Sequence, residues 1–456
     1  MRLLFTVVCF IVGTVPLLFA AVQTWVWSVY STLIAGGFLS ILWGTDKTLD
    51  FRQVTLSAWA VGIFFLYTLF QLIPLPLDLL VVVHPVQHHL IVASRELIDK
   101  PIVWHAISYG WRDSLAWWFF LLSLSLFFIV FNQSVSTRRR LRLVLWIVFG
   151  IASLEALYGL LQALLPGLGV LWADNATVGF GNARGTYINR NHFAGFFEMT
   201  MPLLLGFASA LDGAEKLPWK GRAGASNPRS RQWFLGLGLV IMTLAMLFSR
   251  SRAGITGLAV GGIAFVVLMH TGRKGLSRPA LVVILSFVSL LIVYALRIGI
   301  DPILERFLQV NDDTSRIDMW RDAWAMVTDF PMGIGLGAFC DMFKLYEVSN
   351  LSDSVAIHAH NDYLQLLIEA GWVGFIALVG GFFGFLLISF RKVKRLGADV
   401  DPFRFYVGIG ALSGLVAMAF HSVFDFNLQI PANCIYFVAL IAVVHSCFWQ
   451  LPVKHK

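Results

Sequence analysis

Stretches of about twenty apolar residues recur along the whole chain, separated by short polar breaks, and each is long enough to cross a hydrocarbon core as a helix. Twelve spans are predicted, at about 3–21, 24–43, 54–73, 114–131, 143–165, 193–211, 234–249, 254–271, 279–298, 371–390, 405–424 and 433–449. The pattern is that of an all-α, polytopic membrane protein with a single membrane domain over 1–456. Leu18 and Phe19 stand where a leader-cleavage site needs small residues, so the first span is read as a retained helix. Two interruptions are longer than ordinary loops: a smaller segment at 74–113 and a large one at 299–360. In the large one, Ser315-Arg316-Ile317-Asp318 predicts a helix opened by a capping box, which Pro331 ends. Ile317, Trp320, Trp324 and Val327 form one stripe of that helix, with Asp318, Asp322 and Asp329 opposite. Such a helix is expected to lie on the membrane or roof a cavity, with Arg321 at the stripe's edge turned inward.

Composition narrows the class. Of 456 residues 58% are hydrophobic and 13% charged, against about 45–50% apolar in soluble domains, which excludes a water-soluble globule. Placing both termini in the cytoplasm collects Lys47, Arg52, Arg138, Arg139, Arg140 and Arg142 on one side. Lys216, Lys220, Arg222, Arg229, Arg231, Arg273, Lys274, Arg278, Arg391, Lys392, Lys394, Arg395 and Arg404 join them, as the positive-inside rule requires. The net charge of +8 is therefore mostly topology, and no nucleic-acid partner is expected. The four cysteines show no metal or redox spacing; Cys340 and Cys434 share the outer side and could pair only if the fold brings them together.

Several motifs have a modest reading. His84, His88 and His89 carry a metal-like spacing, but Pro85 interrupts the turn and no acid stands near, so an interfacial helix anchored by Trp104 and Trp111 is expected. Gly333-Ile334-Gly335-Leu336-Gly337 follows no strand and reads as a flexible turn rather than a dinucleotide site. Asp399-Val400-Asp401 has the spacing of metal-dependent glycosyltransferases but falls on the cytoplasmic side, as a solvated loop.

The chemistry gathers elsewhere. His358-Ala359-His360-Asn361-Asp362 stands at the mouth of an apolar segment, where Asp362 is expected to cap a short helix with Gln365 completing a capping box and Gly371 stopping it. Asp362, Gln365 and Glu369 then share one face. Between Gly179 and Phe193, glycines 179, 181 and 185 with Arg184, Arg190 and Asn191 outline an anion cradle, since arginine forks suit phosphate oxygens. Glu155 lies mid-span before it, and Glu198 is expected to hold one arginine. The Ser249-Arg250-Ser251-Arg252-Ala253-Gly254 turn sets two arginines at the membrane surface, which calls for an anionic partner.

These segments carry a resemblance. Arg184 to Pro202, the Ser249 to Gly254 turn, Arg316 to Gly337, and His360-Asn361 with Gly371 and Gly374 at the family's spacing resemble the O-antigen ligase and O-antigen polymerase membrane family. The resemblance covers about 143–390 and the number of spans. It implies a GT-C-like fold and a bacterial inner-membrane enzyme with its site facing the periplasm. That enzyme would move a glycan from undecaprenyl diphosphate to a hydroxyl of lipid-A core or of a second lipid-linked glycan, inverting, with no metal and no cofactor. Carried onto this chain, Arg184, Arg190, Arg250 and Arg252 would grip the diphosphate, Arg316 or Arg321 would close from the long loop, and His360 would take the acceptor proton as general base or orient the acceptor hydroxyl. Asn191, His358 and Asn361 would line the substrate site. The motifs do not separate ligase from polymerase. A secondary transporter using Glu155, Glu198, His421 and His445 is the reading from another class, and it predicts functional groups near the bilayer midplane.

Overall fold

The computed structural model describes residues 2–44, 56–98, 102–165, 167–172, 181–212, 228–272, 310–348, 356–396 and 401–450, with isolated positions at 281, 285 and 289. Among these residues, nine helices are long and apolar enough to cross a membrane: Thr24–Trp43, Trp111–Ser134, Arg138–Leu164, Arg190–Leu211, Ser230–Ser249, Arg252–Thr271, Asp362–Leu396, Pro402–His421 and Pro431–Trp449. Arg2–Thr14 and Ser57–Phe70 are shorter apolar helices. The polytopic all-α architecture is as the apolar runs predicted. The span expected at 279–298 lies outside the described residues but for the isolated positions, as do Lys47, Arg52, Lys216, Lys220, Arg222, Arg273, Lys274, Arg278 and Asp399.

The first span differs from expectation. Its helix stops at Thr14, two residues before Pro16, whose ring lacks an amide donor and disfavours helical geometry in the residue before it. Phe19, Ala20 and Ala21 then take left-handed backbone angles, with φ of 51°, 55° and 58°.

Arg190–Leu211 is wholly buried among its neighbours, and Pro402–His421 and Pro431–Trp449 largely so. These three helices form the centre, while peripheral helices leave Trp43, Trp59, Leu66 and Trp233 exposed on the surface. In hydrocarbon, helices associate by close packing rather than by escape from water, which favours small residues where they cross. A Cβ on Gly410 would stand 2.4 Å from the Pro202 carbonyl oxygen, and one on Gly206 2.2 Å from that of Tyr406. The two central backbones therefore touch.

The helices at 138–164 and 402–421 start together, where Arg138 pairs with Asp401 at 3.3 Å. Asp401 also caps its own helix by accepting from the Arg404 amide, so it is a helix cap and ion-pair partner rather than part of a free loop. Lys394 and Arg395 close the Asp362–Leu396 helix, so they lie a full span away from His360.

Over the other end sits a small cap. Leu75–Pro76 and Trp104–His105 pair antiparallel, with Leu75 opposite His105, and between them run Leu77–Val83 and Pro85–Ile98. His84, expected on an interfacial helix, is fully buried with its Nε2 3.1 Å from the Gly333 carbonyl oxygen. The long-loop helix spans Val310–Asp329, starting before the Ser315 expected to open it. Met319, Ala323, Met326, Val327 and, past its end, Phe330 are buried, whereas Ile317 and Trp324 of the expected apolar stripe are exposed.

Residues 330–337 join cap to bundle. Tyr67 Oη and Gln71 Nε2 both donate to the Met332 carbonyl at 2.7 Å, Ile334 and Gly335 donate their amides to Ile368 and Glu369, and Trp372 donates to Pro331. Gly333, Gly335 and Gly337 all have positive φ. The glycine-rich run expected as a flexible turn is thus an anchored connector. Gly371, with φ 62° and ψ 179°, is non-helical and divides Asp362–Leu396 into two helices, so the short helix stops there as expected and a second continues beyond it.

Candidate functional site

The central helices deliver the site. His421 ends the Pro402–His421 helix, and its carbonyl oxygen accepts from the amides of Phe424 (2.8 Å) and Asp425 (3.2 Å), winding the chain into a tight turn before Pro431. Asp425, fully buried, is the hub. Its Oδ1 accepts from the Phe426 amide at 2.9 Å and lies 3.3 Å from His360 Nδ1 and 3.9 Å from His192 Nε2. Its Oδ2 accepts from Asn191 Nδ2. Burial alone would raise the Asp425 carboxyl, but the hydrogen bond with His360 and the imidazoles of His192, His360 and His421 outweigh it and hold the group well below the usual carboxylate range. A carboxylate can only accept, so Nδ1 of His360 carries a proton, and in the neutral ring Nε2 is the nitrogen with the lone pair. The His360 side chain is one-third exposed, at 33%, so a substrate can reach it.

Phe426 stands among three imidazoles. His358 stacks on its ring at 4.3 Å between centroids, and His360 and His192 meet it edge-on at 4.7 and 4.6 Å. Burial pushes His358 down to about 4, keeping it neutral near pH 7. Gln365 uses both amide protons: Nε2 donates to His358 Nδ1 at 3.3 Å and to Glu369 Oε1 at 3.1 Å, while its Oε1 accepts from the Ala359 amide.

The helix start differs from expectation in one respect. Asn361, not Asp362, is the cap, with Oδ1 accepting from the Leu364 amide at 3.0 Å. Asp362 turns its carboxylate into the 422–428 turn, where Oδ2 accepts from Ser422 Oγ and the Leu428 amide at 2.9 and 3.0 Å.

The arginine segments meet at this end. The Ala183 amide donates to the Phe248 carbonyl at 3.0 Å, tying the 181–190 loop to the 249–252 turn. Gly179 of that loop lies outside the described residues. Glu155 supports the loop from below, accepting from the Thr186 amide and hydroxyl at 2.9 and 2.7 Å. Arg184 donates its amide to Gln162 Oε1 and an Nη1 proton to the Ile188 carbonyl, both at 3.2 Å. Burial lowers its guanidinium, and its buried Nε makes no hydrogen bond within the protein, nor do Asn182 Oδ1 and His192 Nε2 nearby in sequence. Arg190 opens the Arg190–Asp212 helix. Arg252 opens the Arg252–Thr271 helix, capped by Ser251, whose Oγ accepts from the Gly254 amide. Arg316 donates to the Phe424 carbonyl at 2.9 Å, next to Asp425.

Two expected placements differ. Arg321 points outward, its side chain 72% exposed and paired with Asp318 at 2.8 Å, because the helix buries its Met and Ala face instead. Glu198, expected to hold an arginine, instead bonds His421 Nδ1 at 2.9 Å, both side chains fully buried. Cys340 and Cys434 are unpaired. Arg250 and His360 share a further feature, left-handed backbone with φ of 53° and 47°. Such strain costs roughly 1–2 kcal/mol per non-glycine residue and concentrates at functional sites.

Sequence reading missed Asp425, Phe426 and His192. The available signal was a lone acid in the nine residues between His421 and Pro431, flanked by His-Ser and Phe-Asn in an apolar stretch. Among the described residues, no group of three or more His, Cys, Asp or Glu side chains gathers as metal ligands would.

Fold and site together define a polytopic membrane protein with an imidazole–carboxylate pair beside arginine-bearing loops at one end of its helix bundle. Residues 237–379 match the O-Antigen ligase family, a region that includes Arg250, Arg252, Arg316 and His360 but stops short of Asp425. The chain is also 26% identical over 240 residues to the exopolysaccharide production protein ExoQ of Rhizobium meliloti (strain 1021), covering 50% of this chain and 51% of the relative. It thus spans about half the length of the curated relative it matches. The likeness to O-antigen ligases and polymerases drawn from the motifs is borne out.

Proposed function

We propose that the chain is a membrane glycosyltransferase that moves a glycan from undecaprenyl diphosphate to an acceptor hydroxyl at the periplasmic face of the bacterial inner membrane, with both termini cytoplasmic. The observation that carries this reading is the His360–Asp425 pair: an accessible imidazole with Nδ1 3.3 Å from a buried carboxylate, which leaves Nε2 as a base. His360 Nε2 removes the proton of the acceptor hydroxyl as its oxygen attacks the anomeric carbon. The bond from that carbon to the diphosphate oxygen breaks, and its electron pair leaves with the diphosphate. Attack opposite the leaving group inverts the anomeric centre.

The charge that develops on the diphosphate needs fixed cations. Arg184, Arg190, Arg250 and Arg252 are assigned to it, with Arg316 reaching from the long-loop helix, so that guanidinium groups serve in place of a metal ion. Asn191 holds Asp425, while His358 and Asn361 set the wall and the helix start beside His360.

The acceptor is a lipid-A core sugar in a ligase or a second lipid-linked glycan in a polymerase. The match to an exopolysaccharide production protein favours the polymerase form as the second reading. Purified protein given an undecaprenyl-diphosphate glycan with each acceptor in turn, with and without chelator, tests the proposal. Transfer to one acceptor, insensitive to chelator, is expected. A base of this kind typically contributes about 10²–10⁴-fold, so His360→Ala should lower transfer by that factor while the protein still inserts. Unchanged transfer by His360→Ala overturns the assignment.

A further inference from the structure

The turn that carries Asp425 is gripped by two buried carboxylates that the transfer chemistry itself does not use. Asp362 holds one side. Its amide donates to the carbonyls of Ser422 (2.9 Å) and Asp425 (3.3 Å), and its Oδ2 accepts from Ser422 Oγ and the Leu428 amide. Because Asp362 lies two residues after His360, these bonds fix the base relative to its carboxylate partner.

Glu198 holds the other side. On the Arg190–Asp212 helix, Asn191, Gly195 and Glu198 recur at helical spacing on one face, and each meets the same turn. Asn191 bonds Asp425, a Cβ on Gly195 would meet Asn427 Oδ1 at 2.2 Å, and Glu198 Oε1 lies 2.9 Å from His421 Nδ1. His421 in turn carries the backbone of Asp425 on its carbonyl oxygen. Gly257 leaves the space for this carboxylate, since a Cβ there would stand 2.1 Å from Glu198 Oε2.

In each carboxylate one oxygen is engaged and the other, Asp362 Oδ1 or Glu198 Oε2, is buried with no protein partner. We infer that Asp362 and Glu198 are positioning residues that clamp the 421–428 turn and so set the reach of His360 to Asp425. An amide would reproduce the engaged oxygen and place its NH₂ where nothing is now bonded. Hydrogen-bond geometry, not charge or proton transfer, is therefore the function of both groups.

This inference rests on the His360–Asp425 reading and is tested in the same transfer assay with full-length protein in detergent. Displacing a catalytic group by about 1 Å can cost about 10²-fold in turnover, so Asp362→Ala and Glu198→Ala should lower kcat by that order while KM for the donor stays at its normal value. Asp362→Asn and Glu198→Gln should restore kcat well above the alanine variants. Alanine variants with normal kcat, or with a raised donor KM in place of a lowered kcat, overturn the inference; so do amide variants as slow as the alanines, which would mean a charge or proton role. Should the alanine variants not fold, Ser422→Ala decides: it removes one donor to Asp362, and at an unchanged unfolding temperature it should lower kcat without moving KM. Normal kcat in that variant overturns the clamp. If His360→Ala is inactive while these variants are normal, the clamp alone fails; if His360→Ala keeps its activity, the transfer reading fails first.

Discussion

His360 Nδ1 and Asp425 Oδ1 stand 3.3 Å apart, joined across two turns at the same end of the bundle, and the buried carboxylate fixes which ring nitrogen faces outward. Replacing Asp425 with asparagine keeps the shape and removes the charge. The amide oxygen can keep the bonds from the Phe426 amide and His360 Nδ1, but the imidazolium formed as His360 takes the acceptor proton then lacks its buried counter-ion. Asp425→Asn should therefore reduce kcat by about 10²–10⁴-fold with the donor KM little changed, measured as initial rates of glycan transfer. A variant with full kcat would show that the charge of Asp425 does not support His360.

The arginine cradle rests on Gly185, and two glycines of the same loop predict different losses. Gly185 has φ 58°, and a Cβ on it would stand 2.0 Å from Glu155 Oε2 and 2.8 Å from the Phe193 ring. Gly181 has φ 75° with nothing within 4 Å of its Cβ position. Gly181→Ala should cost only backbone strain, about 1–2 kcal/mol, whereas Gly185→Ala adds a steric conflict and displaces the Glu155–Thr186 bonds, for a total of about 3 kcal/mol or more. Thermal unfolding in detergent should rank wild type above Gly181→Ala and Gly181→Ala above Gly185→Ala.

Much of the fold and part of the site were legible in the sequence, for reasons that particular residues make plain. Apolar runs report membrane spans because length and composition alone satisfy the bilayer, and His360 stood out because an imidazole at such a boundary is costly without a purpose. Asp425 did not stand out, since its meaning comes from contact with His360 and Asn191, both distant along the chain, and a lone acid between two helices looks like a solvated end. Asp362 and Asn361 are both good caps by residue type, and only the fold shows that Asp362 is drawn away by Ser422 and Leu428. The long-loop helix buries Met319, Ala323 and Met326 with Val327 and packs Trp320 on that core, while Ile317 and Trp324 of the expected stripe are exposed, because small and flexible side chains fit the cap where a second indole would not. The glycines at 333, 335 and 337 announce unusual backbone angles but not the partners, Tyr67 and Gln71 among them, that make the segment rigid.

His358 predicts a pH dependence of stability. Burial holds its pKa at about 4 in the folded protein, against an ordinary value of about 6.5. A histidine held neutral contributes stability fully above about pH 6.5, and that contribution is lost as pH falls toward 4, because the unfolded chain takes up the proton first. Asp425 adds a fall of the same sign only below about pH 5, where an unfolded aspartate begins to take up its proton. Denaturation at pH 7.0, 6.0 and 5.0 should show stability falling with pH by at most about 1.4 kcal/mol per unit from this group, and a His358→Gln variant should show a shallower fall. Equal slopes in the two proteins would remove His358 as the cause.

Arginine geometry separates a diphosphate clamp from simple surface charge. Arg184 is held by its backbone amide to Gln162 and its guanidinium is tethered through Nη1 to the Ile188 carbonyl, while its buried Nε makes no hydrogen bond within the protein. A fixed fork can make two parallel bonds to phosphate oxygens, whereas lysine supplies the same charge at a single rotatable point. Arg184→Lys and Arg252→Lys should each weaken donor binding by about tenfold, equivalent to one lost charge-assisted bond of about 1.4 kcal/mol, read from donor KM and from competition by undecaprenyl diphosphate. Arg321 is the control. It is exposed and paired with Asp318, so Arg321→Ala should leave donor KM and turnover unchanged even though it removes a whole positive charge from the same helix as Arg316. If all three substitutions weaken binding alike, and added salt abolishes the difference from wild type, the donor is held by the general field of this face and the clamp is wrong. If the two lysine variants bind as wild type does, the fork is not used.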